Sequence, residues 1–336
     1  MRFRSFLIAV SLVALSAPVG AQAAQSTAEA RDAGWTAWAE RVVAISTRDN
    51  QRLAEILPKL NAAMKSLATP EQAKAQLPVI QAIGASMRAD LARNKAELIS
   101  LRASAPPPPT GFSVTPEQVV SDALKQNESA SALLDSMDSL MKAAVVRDVA
   151  TIQKMLPRMA ASSFLIVDNQ AAIYRGRRDA MAGSPVDFAA MGLMATLYGA
   201  MGDLLRISIH SAPPMLADTS IPRANLTVHA GNARSLAEAG QSELAERRAI
   251  LAEASKAKLS AADAAMLARA KGLTEGYASV FDFGMELAGE IKVIDAELGK
   301  GAPTPAAARQ GLSRIVAMEQ KAQQLFNRMM EAATGN

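Results

Sequence analysis

The sequence predicts an all-α protein: long antiparallel helices in a bundle, with a candidate pair of related helical units on either side of a proline-rich linker. Three observations predict it. Helix-start signals recur along the chain, and apolar residues between them fall at helical spacing. No segment of useful length alternates apolar and polar residues as a half-buried strand does.

The start signals share one chemistry. Thr69-Pro70-Glu71-Gln72 and Thr115-Pro116-Glu117-Gln118 are the same tetrapeptide. In each, threonine caps the helix and proline takes the first helical position, where its missing N–H costs nothing. Glutamine at the third position can reach back to the cap. Ser26–Glu29, Ser184-Pro185-Val186-Asp187 and Ser260–Asp263 offer related caps, with a carboxylate in the first turn where the helix dipole favours it. Thr304-Pro305 opens the last helix, and Gly183 and Gly299-Lys300-Gly301, before Pro303, are stop signals.

Between these marks the apolar residues form stripes. Leu267, Leu273, Tyr277, Phe281, Met285, Ala288, Ile291, Ile294 and Leu298 make one; Leu312, Ile315, Ala322, Leu325 and Met329 make another. The spacing predicts helices over 261–298 and 304–333, each roughly 45–55 Å long at 1.5 Å per residue.

Composition shifts divide the chain into a leader (1–23), an N-terminal helical unit (24–104), a linker (105–113), a middle unit (114–212) and a C-terminal bundle segment (213–336). Ala105-Pro106-Pro107-Pro108-Pro109-Thr110-Gly111 cannot be helical and reads as an extended spacer. Ser211-Ala212-Pro213-Pro214, with Pro222 beyond, is a second break. An internal repeat with a period of 99 residues sets Arg48-Asp49, Ile56, Leu57 and Pro58 against Arg147-Asp148, Met155, Leu156 and Pro157. A proline at that place predicts a kink or restart of the helix.

Residues 1–23 read as a cleavable signal peptide. Arg2 and Arg4 precede an uncharged apolar run from Phe6 to Leu15, and Ala21-Gln22-Ala23 is a small-x-small cleavage site. The arginines are not adjacent and no cysteine follows the apolar run, so neither a twin-arginine signal nor a lipoprotein anchor is expected. The expected location is periplasmic or secreted.

Taking Arg2 and Arg4 from the 36 basic residues, against 32 acidic ones, leaves a charge of about +2. No block of one sign stands out, so a nucleic-acid partner is not expected. The chain has no cysteine, which excludes disulfides, thiolate metal sites and cysteine nucleophiles. Only 4% of its residues are aromatic, so its packing is aliphatic.

Candidate sites are few. Tyr174-Arg175-Gly176-Arg177-Arg178-Asp179 is the densest basic cluster, and Arg175, Arg177 and Arg178 are the candidate contacts for an anion or a partner. The blander reading is a solvated helix end. The two histidines, His210 and His229, lie in no metal-ligand motif, and neither a metal nor a cofactor is expected. Carboxylates one turn apart, such as Asp135 with Asp138 and Glu286 with Glu290, are common on polar helix faces. No nucleophile elbow or phosphate-cradling glycine loop is present. Residues 188–202 form the most apolar stretch after the leader, too short to span a bilayer, and read as a central buried helix.

These readings predict no catalytic residues. The expected function is that of a non-catalytic exported helical protein, binding a partner protein or a small ligand in the bacterial envelope. A membrane-peripheral protein is the alternative, followed by an enzyme or a haem-binding bundle.

Overall fold

A computed structural model describes residues at scattered positions between 37 and 59, then 70–106, 115–210, 224–257, 259–299 and 305–334. The segment expected to be a signal peptide (1–23), most of the expected proline-rich linker and the 211–223 break lie outside the described residues. Those described are helical apart from short turns, with no strand among them. Seven long helices follow in order: α1 (Pro70–Ala103), α2 (Pro116–Val145), α3 (Val149–Ala180), α4 (Pro185–His210), α5 (Ala224–Ala254), α6 (Ala261–Gly299) and α7 (Pro305–Thr334).

The starts fall where the capping chemistry puts them. Gln118 N–H donates to Thr115 Oγ1 at 3.2 Å. At α6, Asp263 N–H donates to Ser260 Oγ at 3.1 Å while the serine hydroxyl donates back to Asp263 Oδ2 at 2.7 Å, a reciprocal box. Asp148 caps α3 by accepting from Thr151 N–H at 3.0 Å. The preceding Arg147 turns the chain in the left-handed region, with φ 54°. Arg48, its counterpart in the expected 99-residue repeat, sits in helical backbone instead. Helix α3 also runs through Pro157 without restarting. The proline lies on the exposed face, and α3 is held along its length by α2 and α4.

Each helix packs against the next in the chain, and α4 also packs on α6 and α7. Cross-helix contacts fix the directions. Lys95 meets Glu128 and Arg88 meets Asp135, so α1 and α2 are antiparallel. Arg248 with Glu275 and Thr227 with Asp295 do the same for α5 and α6. Helices α4–α7 thus form a four-helix bundle onto which α3, α2 and α1 are added in turn. One hydrophobic core runs from Ile80 on α1 to Met329 on α7 and so crosses all three units expected from the sequence. A smaller cluster gathers Trp38, Val42, Ile45, Leu98, Leu101, Val119 and Val120. There the Trp38 indole N–H donates to the Leu101 carbonyl at 2.9 Å.

Helix α4 is the centre of the molecule. Leu193, Met194, Leu197, Tyr198 and Met201 are fully buried on it. By length and composition it is apolar enough to cross a membrane, yet 83% of that window is buried by the other helices.

Small residues let α5 and α6 approach closely. A Cβ at Gly240 would stand 2.3 Å from the Phe281 ring, which is fully buried and has no room to move. Gly240→Ala is therefore expected to destabilise the protein by about 1–3 kcal/mol, measured by urea unfolding. A Cβ at Gly289 would have nothing within 4 Å. Gly289→Ala is expected to stabilise by up to about 1 kcal/mol through helix propensity. Equal effects at the two glycines would contradict this packing.

Candidate functional site

A seam of polar side chains crosses the core from α2 through α3 and α4 to α7. Tyr174 and Arg177 stand three residues apart on α3 and so share a face. They are 1% and 2% exposed. The Arg177 guanidinium lies over the Tyr174 ring, its carbon 5.6 Å from the ring centroid. Tyr174 stacks in turn on Tyr198 of α4, with centroids 5.4 Å apart and an 11° angle between planes. The Tyr198 hydroxyl donates to Glu319 Oε1 of α7 at 3.0 Å, and the Gln323 amide donates to the same oxygen.

Glu319 is buried among neutral donors, and no ion pair reaches it among the described residues. Burial pushes its pKa up to about 7, although the Tyr198 and Gln323 bonds pull the other way. Burial also drives the Tyr198 phenol well above its usual range, with Glu319 adding to the effect. Tyr198 is neutral at any physiological pH.

At the other end of the seam, Asp122 of α2 is also buried, at 8% exposure. Burial raises its pKa, opposed by the nearby charges of Arg177 and Lys125. Arg177 feels the same burial in the opposite sense, its pKa pulled below the ordinary value while Tyr174 and Asp122 push it back. A guanidinium stays protonated in any protein setting, so Arg177 is a buried cation. No ion pair joins it to Asp122. Its Nε and Nη1 are buried without a hydrogen-bond partner. Two unpartnered donors on a buried cation are the least satisfied group in the described structure, and desolvating such a group is expensive.

The basic cluster singled out in the sequence is thus split. Arg175 is exposed. Arg178 leans over the Phe188 ring, 5.4 Å from its centroid, and pairs with Asp179 at 2.7 Å. Only Arg177 points into the protein. The seam's other members, Asp122, Tyr174, Tyr198, Glu319 and Gln323, are residues the sequence reading did not single out.

The remaining candidates have local partners. His229 Nε2 lies 3.1 Å from Asp203 Oδ2, tying α5 to α4, and Arg206 bridges Asp203 and Asp168 of α3. The His229 ring fills the space that the absent Cβ of Gly199 leaves. No group of three metal-ligating side chains occurs among the described residues. His210 ends α4, and its side chain lies outside them. Asp135 pairs with Arg88, Asp138 with Lys142, Glu286 with Lys321 and Glu290 with Arg314. A shallow groove between α1 and α2, lined by Ile80, Met87, Leu134 and Met137, offers about 30 Å³, room for a single water.

Comparison with known proteins finds no matching family model, no matching curated protein and no matching solved structure.

Proposed function

We propose that this chain is an exported, non-catalytic helical protein that binds a small anionic ligand in the bacterial envelope, with Arg177 as the anchor of the site. The observation that carries this reading is the Arg177 guanidinium, 2% exposed, with Nε and Nη1 unpartnered by protein. A buried arginine is justified energetically when a charged acceptor meets its donors, because charge-assisted bonds are about twice as strong as neutral ones. The leader-like N-terminus supplies the location. The long helices supply a rigid frame, since sites built on helices hold their geometry better than sites on loops.

Native mass spectrometry of protein purified from the periplasm tests both parts. The expected mass corresponds to cleavage after Ala23, with a small molecule retained by the wild type and missing from Arg177→Met. A ligand-free wild type that also binds no added anion removes the reading.

A membrane-peripheral role is the second reading, favoured by Ile250, Leu259 and Met266, which stand exposed around the α5–α6 turn. Liposome flotation separates the two readings. Protein that stays wholly in the soluble fraction counts against the membrane.

A further inference from the structure

We propose that the turn end of the α5–α6 hairpin docks on an anionic lipid surface. This rests on the membrane reading above, to which it gives a surface and a lipid charge, and it does not involve Arg177.

The hairpin outruns the bundle. Tyr277 of α6 donates to Asp187 in the first turn of α4, and Gly284 of α6 faces Leu193, so α4 and α6 run parallel. Residues of α6 before Tyr277 therefore lie beyond the point where α4 begins. Burial marks the same limit. Between Leu244 on α5 and Thr274 on α6, no described residue is buried.

Positive charge is concentrated in this stretch. Residues 245–273 carry six basic side chains (Arg247, Arg248, Lys256, Lys258, Arg269 and Lys271) against three acidic ones, a net +3. The whole chain carries +4, of which Arg2 and Arg4 supply two, so everything else sums to about −1. Along the sequence the six are interleaved with alanines and acids and form no block. The α5–α6 turn gathers them at one end of the molecule. Arg248 pairs with Glu275 and Lys256 with Glu253. Arg247, Arg269 and Lys271 are exposed and form no ion pair among the described residues.

The apolar residues at this end decide between a lipid surface and an acidic polypeptide. Leu259 stands in the turn, Met266 in the second turn of α6 and Ile250 near the end of α5. They are 37%, 51% and 69% exposed. A turn reaches a flat surface first, and an apolar side chain placed there enters the headgroup boundary while flanking lysines and arginines stay with the lipid phosphates. A purely acidic polypeptide would meet the cations but give Leu259 and Met266 no apolar medium. Each basic side chain held at an anionic surface is worth about fivefold in partitioning.

The test is flotation of the purified protein with two kinds of vesicle, at low and high salt. One is phosphatidylcholine alone; the other is equal parts phosphatidylcholine and phosphatidylglycerol. We expect binding to the mixed vesicles only, weakened by salt. The triple variant Arg247→Gln, Arg269→Gln, Lys271→Gln should bind about 100-fold more weakly, from about fivefold at each site. Glutamine keeps the helix propensity of these positions, and circular dichroism confirms the fold. A control of equal charge, Lys74→Gln with Lys154→Gln and Arg158→Gln at exposed positions of α1 and α3, should bind nearly as the wild type does. Leu259→Gln with Met266→Gln should bind more weakly at either salt concentration yet keep the preference for mixed vesicles. Unchanged affinity in that variant overturns the entry of the turn into the bilayer. A control that loses as much as the hairpin variant overturns the assignment to this surface. Equal binding to both kinds of vesicle overturns the anionic assignment and leaves the membrane reading standing. Poly-glutamate that binds where no vesicle does gives the surface to an acidic protein instead. Absence from every vesicle fraction removes the membrane reading itself, with the reading at Arg177 untouched.

Discussion

Replacing Glu319 by glutamine is expected to flatten the dependence of the protein's stability on pH. The wild-type carboxyl moves from an ordinary value of 4.5 to about 7 on folding, chiefly because burial disfavours its charged form. The folded state therefore prefers the neutral acid. That contribution is complete below pH 4.5, declines as pH rises towards 7, and is lost above it. The difference corresponds to about 3 kcal/mol, a large share of the 5–15 kcal/mol by which a typical domain is stable. Asp122 is shifted the same way and adds to the slope. Glutamine is close in shape and never charges, and its carbonyl oxygen still accepts from Tyr198. Urea unfolding of wild type and Glu319→Gln between pH 4.5 and 8.5 checks this. At low pH the two should be nearly equal; at pH 8.5 the variant should be more stable by about 3 kcal/mol. A variant as steeply pH-dependent as the wild type would show that Glu319 is solvated in solution.

Why Glu319 escaped the sequence reading is clear from the stripe that contains it. Leu312, Ile315, Ala322, Leu325 and Met329 make one apolar face in the sequence, with six residues between Ile315 and Ala322. Glu319 fills that gap, four residues after Ile315 and three before Ala322. It sits on the buried face with them. Hydrophobic periodicity marks positions by residue type, so a carboxyl at a core position reads as an interruption rather than as a member. Tyr198 was hidden in the converse way, inside an apolar run whose burial was expected but whose hydroxyl found its partner 121 residues along the chain.

The helix boundaries were legible because their causes are local. A cap such as Ser260 with Asp263 is complete within four residues. The packing partners were not legible, because a stripe states which face is apolar and not what will cover it. That α4 would meet α6 and α7 as well as its neighbours follows from shape: Gly284 on α6 and Gly311 on α7 leave room for Leu193 and Leu204 of α4. The arginine cluster divides between core and surface for a geometric reason. Successive residues on a helix point about 100° apart, so Arg177 turns into the core while Arg175 and Arg178, three residues apart, stay on the outer side.

The double substitution Arg177→Met with Asp122→Asn is expected to make the ligand-free protein more stable by about 1–4 kcal/mol, while abolishing anion binding. Arg177 is a cation in the core with two donors unpartnered, and Asp122 is a buried acid too far away to form an ion pair with it. Each group carries a desolvation penalty that the other repays only in part. Methionine is unbranched, like the arginine stem, and packs well against Tyr174, since a thioether is favourable beside an aromatic ring. Asparagine keeps the shape of Asp122 without its charge. Removing Arg177 alone is less favourable, because it strips Asp122 of the positive charge that opposes its burial. The single Arg177→Met should therefore gain less than the double variant above neutral pH and approach it at acidic pH, where Asp122 is protonated. Thermal and urea unfolding of the three proteins at pH 5 and pH 8 provides the measurement. A double variant clearly less stable than the wild type would mean that protein or solvent already satisfies the guanidinium, and the case for a ligand at Arg177 would fall with it. A stabilised variant that no longer binds would place Arg177 among residues kept for function at a cost in stability, as expected where a binding site is built into a packed core.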